Sequence, residues 1–518
     1  MPHLWAGFGF PCNIGPRDTQ VSDTPASLGT APDGSHIADL GQILPAGHGL
    51  VTAKSSRYRR IWLDTFDHRL AASGFTLYQQ GAGRSARTFL VGPEGGVMAV
   101  FEGTLAKKMA GDLPKEMAKV IGKLLGLRAL LEVGRAAVTV TSAAVVDELD
   151  KTICRLWIES AEGAGSRVSI VPLTGYQTEA DLVCSAVAAA GLSWSQRPMW
   201  LDLPEGSRHG DPPLRPTLVP EERAGTAVAR LLAHLFAQIE LNAPGAIARH
   251  DTEFLHDLRV AVRRGRSALK LLSPLLPPDE IEPLAAELKW LGDVTTVARD
   301  LDVQLLQLPL VRSSLPSHWG NQLDPLADLL AHKRRQSHKK LAQHLSSERF
   351  WGLVGWDLGP LQAAEPDCGS LEDLAAGIIA SAHRRVLRRG GQIGDDSPPE
   401  SLHSLRKRCK ELRYAIEFFS DLFDPAAVAT AIKELKVLQD NLGEHQDAEV
   451  HAAMLAKLGE ELYASDAGPG AILATGMAIA AMAERQAVAR SGFHEYFVRF
   501  SRPAARAAFA SLTGRPVR

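Results

Sequence analysis

The chain of 518 residues is long enough for two or more domains. An apolar content of 45% and a charged content of 22% are ordinary for a globular protein, and no continuous apolar run is long enough to span a membrane. The net charge of −2 excludes a uniformly basic surface for nucleic acid, so a polyanion would have to bind to a local cluster of cations.

The beginning of the chain, residues 1–50, is predicted to be an irregular leader, because it is rich in glycine, proline, serine and threonine and has little periodicity. It contains no basic segment followed by an apolar one, so we expect no secretion signal. The five cysteines of the chain form no CxxC pair, which favours free thiols in a reducing cytoplasm and no structural zinc site.

Residues 51–195 are predicted to fold as an α+β domain with an antiparallel sheet. Short alternating segments separated by glycines are typical of strands and hairpins. The segments with strand character are 60–63, 75–78, 138–141, 153–158 and 168–171, and helices are expected at 113–131 and 180–190.

Residues 196–222 carry six prolines and are predicted to be a linker. From 223 to 510 the pattern is helical almost throughout, and the breaks carry proline or glycine. The sequence therefore predicts an all-α domain of two pseudo-symmetric helical-bundle halves, at about 223–360 and 370–510.

The helical region contains a repeat with a spacing of 147 residues. Residues 256–303 and 403–450 share 15 identical positions out of 48 when they are aligned without gaps. A fixed long spacing indicates a duplicated structural unit. Many of the shared positions are cationic, which hydrophobic packing alone does not require.

Each copy places a histidine and several basic residues on one face of a helix, within an arc of roughly 80°. Like charges at this spacing cost a few tenths of a kcal/mol per pair, so the pattern predicts an anionic partner. The alternative is that Arg259 and Arg406 form ion pairs with Asp300 and Asp447. The stripes are His256, Arg259, Arg263, Arg266 and Lys270 in the first copy, and His403, Arg406, Lys410 and Arg413 in the second. Two further basic runs, at 332–340 and 383–389, are either binding surfaces or solvated helix faces.

These residues resemble a known family, the CHAD domain (conserved-histidine α-helical domain). Segments 256–264, 288–291 and 299–303 are similar to its first half, and segments 403–406, 412–415 and 438–443 to its second. The resemblance covers roughly residues 220–510. It implies two four-helix units with a basic channel between them, binding of inorganic polyphosphate without a cofactor, and association of some members with polyphosphate-containing granules.

The resemblance also implies which residues bind polyphosphate. The two halves need not bind equally well, because Glu411 stands where the first copy has Arg264 and Gln446 where it has Arg299. The implied positions are His256, Arg259, Arg263, Arg266, Lys270, Lys289, Arg335, Lys339, Arg384, Arg388, His403, Arg406, Lys407, Lys410, Arg413 and Lys436.

The first domain is similar to the CYTH triphosphatase fold at residues 62–74 and 168–175. CYTH enzymes open with a Glu-x-Glu-x-Lys strand that holds a metal ion, but this chain has no glutamate before Glu94. Leu-Tyr-Gln-Gln at 77–80 replaces the Arg-x-Arg pair that the resemblance places after Gly74. Because metal-assisted phosphoryl transfer needs both sets, we expect a degenerate domain without catalytic or metal-binding residues.

Three functions remain open from the sequence. The first is non-catalytic binding of inorganic polyphosphate, in the cytoplasm and on polyphosphate granules. The second is a metal-dependent inorganic triphosphatase with the CHAD-like region as its substrate-binding module. The third is a basic scaffold for protein or RNA. Sequence-specific nucleic-acid recognition is not expected, since the stripes lack interleaved aromatic residues for base stacking.

Overall fold

The computed structural model describes residues 27–31, 37–81, 83–93, 95–105, 108–190, 193–194, 197–204, 215–273, 278–363 and 370–514. The chain divides into two units, Met1–Pro212 and Pro213–Arg518. Most of the predicted leader and the centre of the predicted linker lie outside the described residues. Within them, no helix combines the length and the apolar character that a membrane crossing requires.

The first unit is built on one antiparallel sheet, which confirms the predicted α+β class. In the described residues the strand order is β5-β4-β3-β2-β6-β7-β8-β1-β9, and the two longest strands, β2 and β6, are paired with each other at the centre. β1 falls in the predicted irregular leader, where it pairs with β8. The strands are β1 Ser27–Ala31, β2 Gly49–Asp64, β3 Thr76–Gln80, β4 Arg87–Val91, β5 Val97–Glu102, β6 Leu131–Val146, β7 Thr152–Ala161, β8 Gly165–Pro172 and β9 Ser193–Trp194.

Two of the helices in this unit cover separate parts of one sheet face. α3 packs on Leu63, Leu77 and Leu90, and α4 packs on strand residues such as Leu156. α3 ends earlier than the predicted 131 because Gly126 has a φ of 58°, which a helix cannot continue through. The helices are α1 Ile37–Ile43, α2 Arg69–Ala72, α3 Lys115–Leu125 and α4 Gln177–Ala189.

Part of the predicted linker belongs to the core of the first unit. Met199, Trp200 and Leu203 are each at most 3% exposed and pack against the other face of the sheet. The prolines of this segment suggested a linker, but burying a tryptophan and two large aliphatic side chains favours the packed state.

The second unit is all helical in its described residues, as predicted. Three helices of the first half start 147 residues before three helices of the second: α5 before α12, α6 before α13 and α7 before α14. The helices are α5 Ala224–Ala248, α6 Thr252–Leu272, α7 Pro278–Ser314, α8 Ser317–Gly320, α9 Asp324–Leu345, α10 Glu348–Val354, α11 Gly359–Ala363, α12 Leu371–Gly390, α13 Pro399–Phe418, α14 Pro425–Ala464, α15 Pro469–Ser501 and α16 Pro503–Thr513.

The first basic helix, α6, is fixed at its start and along one face. The Asp251 carboxylate accepts hydrogen bonds from the amides of Glu253 and Phe254, at 2.8 and 3.2 Å, which satisfies two amides that the first turn leaves free. Leu258 and Leu269 are buried at 0% and 1% exposure. The basic stripe, on the opposite side of the helix, is therefore held toward α7, α13 and the solvent.

Candidate functional site

A groove of about 540 Å³ opens in the second unit where α6 and α7 meet α13 and α14. Residues of both sequence copies line it. The first half contributes His256, Arg259, Arg263, Arg266 and Arg299, and the cation from the second half is Arg406.

Arg259 is held by α7 rather than by an acid. Its Nη1 donates to the Gly292 carbonyl oxygen at 2.9 Å, to Thr295 Oγ1 at 2.7 Å and to Thr296 Oγ1 at 3.1 Å. Burial lowers the pKa of Arg259, and the nearby Asp300 carboxylate opposes that effect. Arg259 therefore hydrogen-bonds to three uncharged oxygens instead of forming the ion pair with Asp300 that the alternative interpretation required. These bonds fix the direction of its guanidinium group without neutralising its charge.

Arg299 is a wall residue that the sequence analysis did not include among the binding positions. Its Nη1 donates to the Thr252 carbonyl oxygen at 3.1 Å and lies 4.0 Å from Glu253 Oε1. Burial and then the positive charge of Arg299 lower the pKa of His256 below its usual range. His256 is therefore harder to protonate in this groove than an ordinary histidine.

Arg263 and Arg266 are the most available cations of the groove. Both are exposed, and neither forms an ion pair with another residue in the described part of the chain. The guanidinium carbon of Arg263 lies 5.6 Å from the centre of the Tyr414 ring, so α13 supports it from the side.

The second basic stripe contributes less to the groove than the first. Arg406 Nη2 lies 3.2 Å from Asp447 Oδ1, which confirms the alternative ion pair for this residue. Lys410 is half-buried, and its burial, followed by the charges of Arg406 and Arg263, lowers its pKa to about 8. The Nδ1 of His403 hydrogen-bonds to Oε1 of the Gln446 side chain.

The ends of both stripes are tied into ion pairs between and along helices. Lys270 of α6 lies 2.5 Å from Glu411 of α13, and Arg413 lies 2.6 Å from Glu417. Two matching pairs join side chains four residues apart, Lys289 with Asp293 at 2.8 Å and Lys436 with Asp440 at 2.5 Å. The remaining predicted positions are exposed and lie outside the groove walls: Arg335, Lys339, Arg384, Arg388 and Lys407.

In the first unit, the charged groups of the sheet interior are paired with each other. Arg60 is 3% exposed, and it donates to both carboxylate oxygens of Glu159, at 3.0 and 2.8 Å, and to Gln80 Oε1 at 3.2 and 2.8 Å. On the same face, Arg167 Nη2 donates to Asp202 Oδ2 at 2.8 Å.

The space next to these pairs is filled by apolar side chains. Trp200 is 1% exposed and packs with Trp62, Tyr78 and Phe89 against the sheet. Among the described residues, no group of three or more histidine, cysteine, aspartate or glutamate side chains is arranged to hold a metal ion. This face is therefore a core in which the charges neutralise one another.

Comparison with known proteins gives a family for the helical region. Residues 230–456 match the family model of the CHAD domain. Uncharacterized proteins from two strains of Mycobacterium tuberculosis are 31% and 30% identical to this chain over 220 residues. Each match covers 38% of this chain and 38% of the relative, so the chain spans less than half of the length of the curated relatives that it matches.

Two solved structures also align with the chain. The CHAD domain from the plant Ricinus communis aligns at 28% identity with a TM-score of 0.48, over 58% of this chain and 96% of that one. PptA from Streptomyces chartreusis aligns at 21% identity with a TM-score of 0.42, over 53% and 99%. The antiparallel sheet of the first unit is compatible with the CYTH-like fold that its sequence resembles. The family match establishes that this chain carries a CHAD domain at residues 230–456.

Proposed function

We propose that the chain binds inorganic polyphosphate in the groove of its CHAD domain and does not hydrolyse it. The observation that carries the proposal is the convergence of Arg259, Arg263, Arg266 and Arg299 on one groove, with Arg263 and Arg266 exposed and outside any ion pair of the described residues. Guanidinium groups donate two parallel hydrogen bonds to phosphate oxygens, so several of them in a row suit a linear chain of phosphates.

The local energetics support a polyanion as the partner. The four arginines that line the groove repel one another, and burial of Arg259 adds a desolvation cost. A bound polyanion offsets both costs and displaces counterions from the phosphate chain, so binding weakens as salt rises.

The repeated helix starts support a related inference, that the two halves of the domain are diverged copies of one helical unit. A groove formed between two copies gives one ligand chain contacts with both. Such multivalency favours long chains over short ones.

For the first unit we propose a non-catalytic role. Arg60 is saturated by Glu159 and Gln80, and Trp200 packs in the space next to them, so this buried cation is not available to a substrate. Metal-assisted phosphoryl transfer needs hard oxygen ligands and cationic clamps that face a substrate. Clear release of phosphate from triphosphate with Mg²⁺ or Mn²⁺ would contradict this part of the proposal.

Binding of long-chain polyphosphate to the full chain, measured over a series of salt concentrations, tests the proposal. By analogy with single-stranded nucleic acids, each lost phosphate contact flattens the slope of log K against log salt by about 0.7. Arg263→Gln with Arg266→Gln should therefore flatten the slope by about 1.4 and weaken binding. The matched control is Arg499→Gln with Arg502→Gln, which makes the same charge change outside the groove walls and should leave both values unchanged.

Two results would count against the assignment. Equal slopes for the wild type and the groove variant would remove the groove from the binding site. Displacement of polyphosphate by RNA or duplex DNA at equal charge would favour the scaffold function instead. We also propose that the groove attaches the protein to polyphosphate granules in the cytoplasm. Co-sedimentation of the groove variant with such granules would contradict attachment through the groove.

A further inference from the structure

The groove changes in chemical character along α7. The wall residues of this helix run from Gly292 to Gln307, a distance of about 22 Å at 1.5 Å per residue. Beside the first part of this path, α6 contributes its arginines. Beyond Arg299, α7 and α14 form most of the wall, and the cation beside them is Arg406 of α13, which is paired with Asp447.

Two carboxylates stand where the cationic part ends. Asp300 of α7 and Asp447 of α14 both line the groove and occupy equivalent positions in the two sequence copies. Burial raises the pKa of Asp300, while Arg259 opposes that effect. Asp447 is paired with Arg406, whereas Asp300 forms no ion pair in the described residues and repels a chain made only of phosphates. Carboxylates in such a position are acceptors for hydroxyl groups, as an acidic residue is for ribose in dinucleotide sites.

The far part of the groove is uncharged and carries unused hydrogen-bonding groups. Val303, Val450 and Met454 supply aliphatic and thioether surface. Gln304 is 7% exposed and His451 is 9% exposed, both line the groove, and neither hydrogen-bonds to another residue in the described ranges. The polar atoms of both side chains are accessible from the groove, and their donors and acceptors suit a polar ligand edge.

We propose that the groove binds a nucleoside polyphosphate, with the phosphates on the arginines, the ribose at the two carboxylates and the base in the uncharged part. The order of these three wall sections along α7 matches the order of the three ligand parts. A thioether and aliphatic side chains pack against an aromatic ring face, and a glutamine amide can pair with the edge of adenine. A groove of about 540 Å³ is within the size of small-molecule sites. This inference rests on the proposed phosphate-binding role of the arginines.

The test compares two ligands with the same phosphates. Binding of adenosine 5′-tetraphosphate and of inorganic tetraphosphate to the full chain is measured by calorimetry at one salt concentration. We expect the nucleoside form to bind at least tenfold more tightly. Gln304→Leu should remove most of that difference while the affinity for inorganic tetraphosphate stays unchanged.

A second variant changes the charge at Asp300, where the cationic part of the groove ends. Asp300→Asn removes a repulsive charge and replaces one of the two acceptor oxygens by an amide donor, so inorganic tetraphosphate should bind more tightly while the advantage of the nucleoside form shrinks. The matched control is Asp293→Asn, at the cationic end of the groove, which should strengthen binding of both ligands by the same factor. A purely structural role for Asp300 would move both ligands in the same direction. Thermal melts of each variant establish that the domain is folded.

The outcomes separate this inference from the proposed function. Equal affinity of the two tetraphosphates for the wild type would overturn the nucleoside assignment, even if long polyphosphate binds. Binding of adenosine 5′-tetraphosphate without binding of long polyphosphate would support the nucleoside assignment and overturn the proposed function. Failure of both ligands to bind would overturn both.

Discussion

Raising the pH from 7 to 9 should weaken polyphosphate binding through one side chain, Lys410. This lysine is half-buried on α13 and is repelled by Arg406 and Arg263, two residues of the groove wall. Burial, followed by the repulsion from these two arginines, lowers its pKa to about 8, and Asp447 opposes the shift. In the free protein it therefore loses its charge in the range where ordinary lysines keep theirs.

The magnitude follows from the linkage between charge and binding. A bound polyanion stabilises the ammonium form and raises the pKa of Lys410 back toward its ordinary value of about 10.4. Below pH 8 the charge is already present, so affinity is full; above pH 8 the protein must take up a proton to bind. Between pH 7 and pH 9 the affinity should therefore fall about tenfold, or about 1.4 kcal/mol.

Calorimetric titration with long-chain polyphosphate at constant ionic strength measures this effect. The internal phosphates of the ligand are strongly acidic and do not titrate in the range. Lys410→Arg keeps a charge throughout the range, so its affinity should stay flat from pH 7 to pH 9. An equal decline in the wild type and in Lys410→Arg, or no decline in the wild type, would refute the reasoning.

Three further predictions concern stability. Burial, followed by the charges of two nearby arginines, Arg506 and Arg384, lowers the pKa of His383 to about 4. The stability that its neutral imidazole contributes is therefore fully present above pH 6.5 and is lost as the pH falls toward 4. Protonation of His383 between pH 7 and pH 4 should lower the free energy of unfolding in urea titrations by about 3 kcal/mol. His383→Phe should lack this part of the pH dependence. Trp200→Ala should cost about 3–5 kcal/mol in the unfolding transition of the first unit and leave polyphosphate binding unchanged. In α12, a Cβ at Gly390 would lie 2.0 Å from the Phe497 ring, whereas Gly377 has open space around it. Urea titrations should therefore show Gly390→Ala losing about 1–3 kcal/mol and Gly377→Ala gaining up to about 1 kcal/mol.

The elements that local pattern defines were predictable from the sequence. The alternating segments of the first unit form strands, and the 147-residue spacing reappears in the starts of α6 and α13. The predicted linker differed at Met199–Asp202 because its packing depends on Trp62 and Tyr78, more than a hundred residues earlier. No local pattern contains that contact.

The sequence predicted which residue types form the candidate site, but it did not identify every residue of the groove wall. The helical spacing of the first stripe placed four of its five members in the groove wall. Lys270 instead pairs with Glu411, which is 141 residues away in the sequence. Only the tertiary fold brings these two residues together. Arg299 was missed because the second copy has Gln446 at that position, so a search for shared cations passes over it.

These exchanges give the two halves of the domain different roles. Replacement of Arg264 by Glu411 and of Arg299 by Gln446 in the second copy provides acceptors for Lys270 and His403. A second helix as cationic as the first would repel α6 across their contact, whereas Glu411 and Glu417 turn that contact into an attractive one. The second half thus holds the two basic helices together, and the first half keeps its arginines directed into the groove.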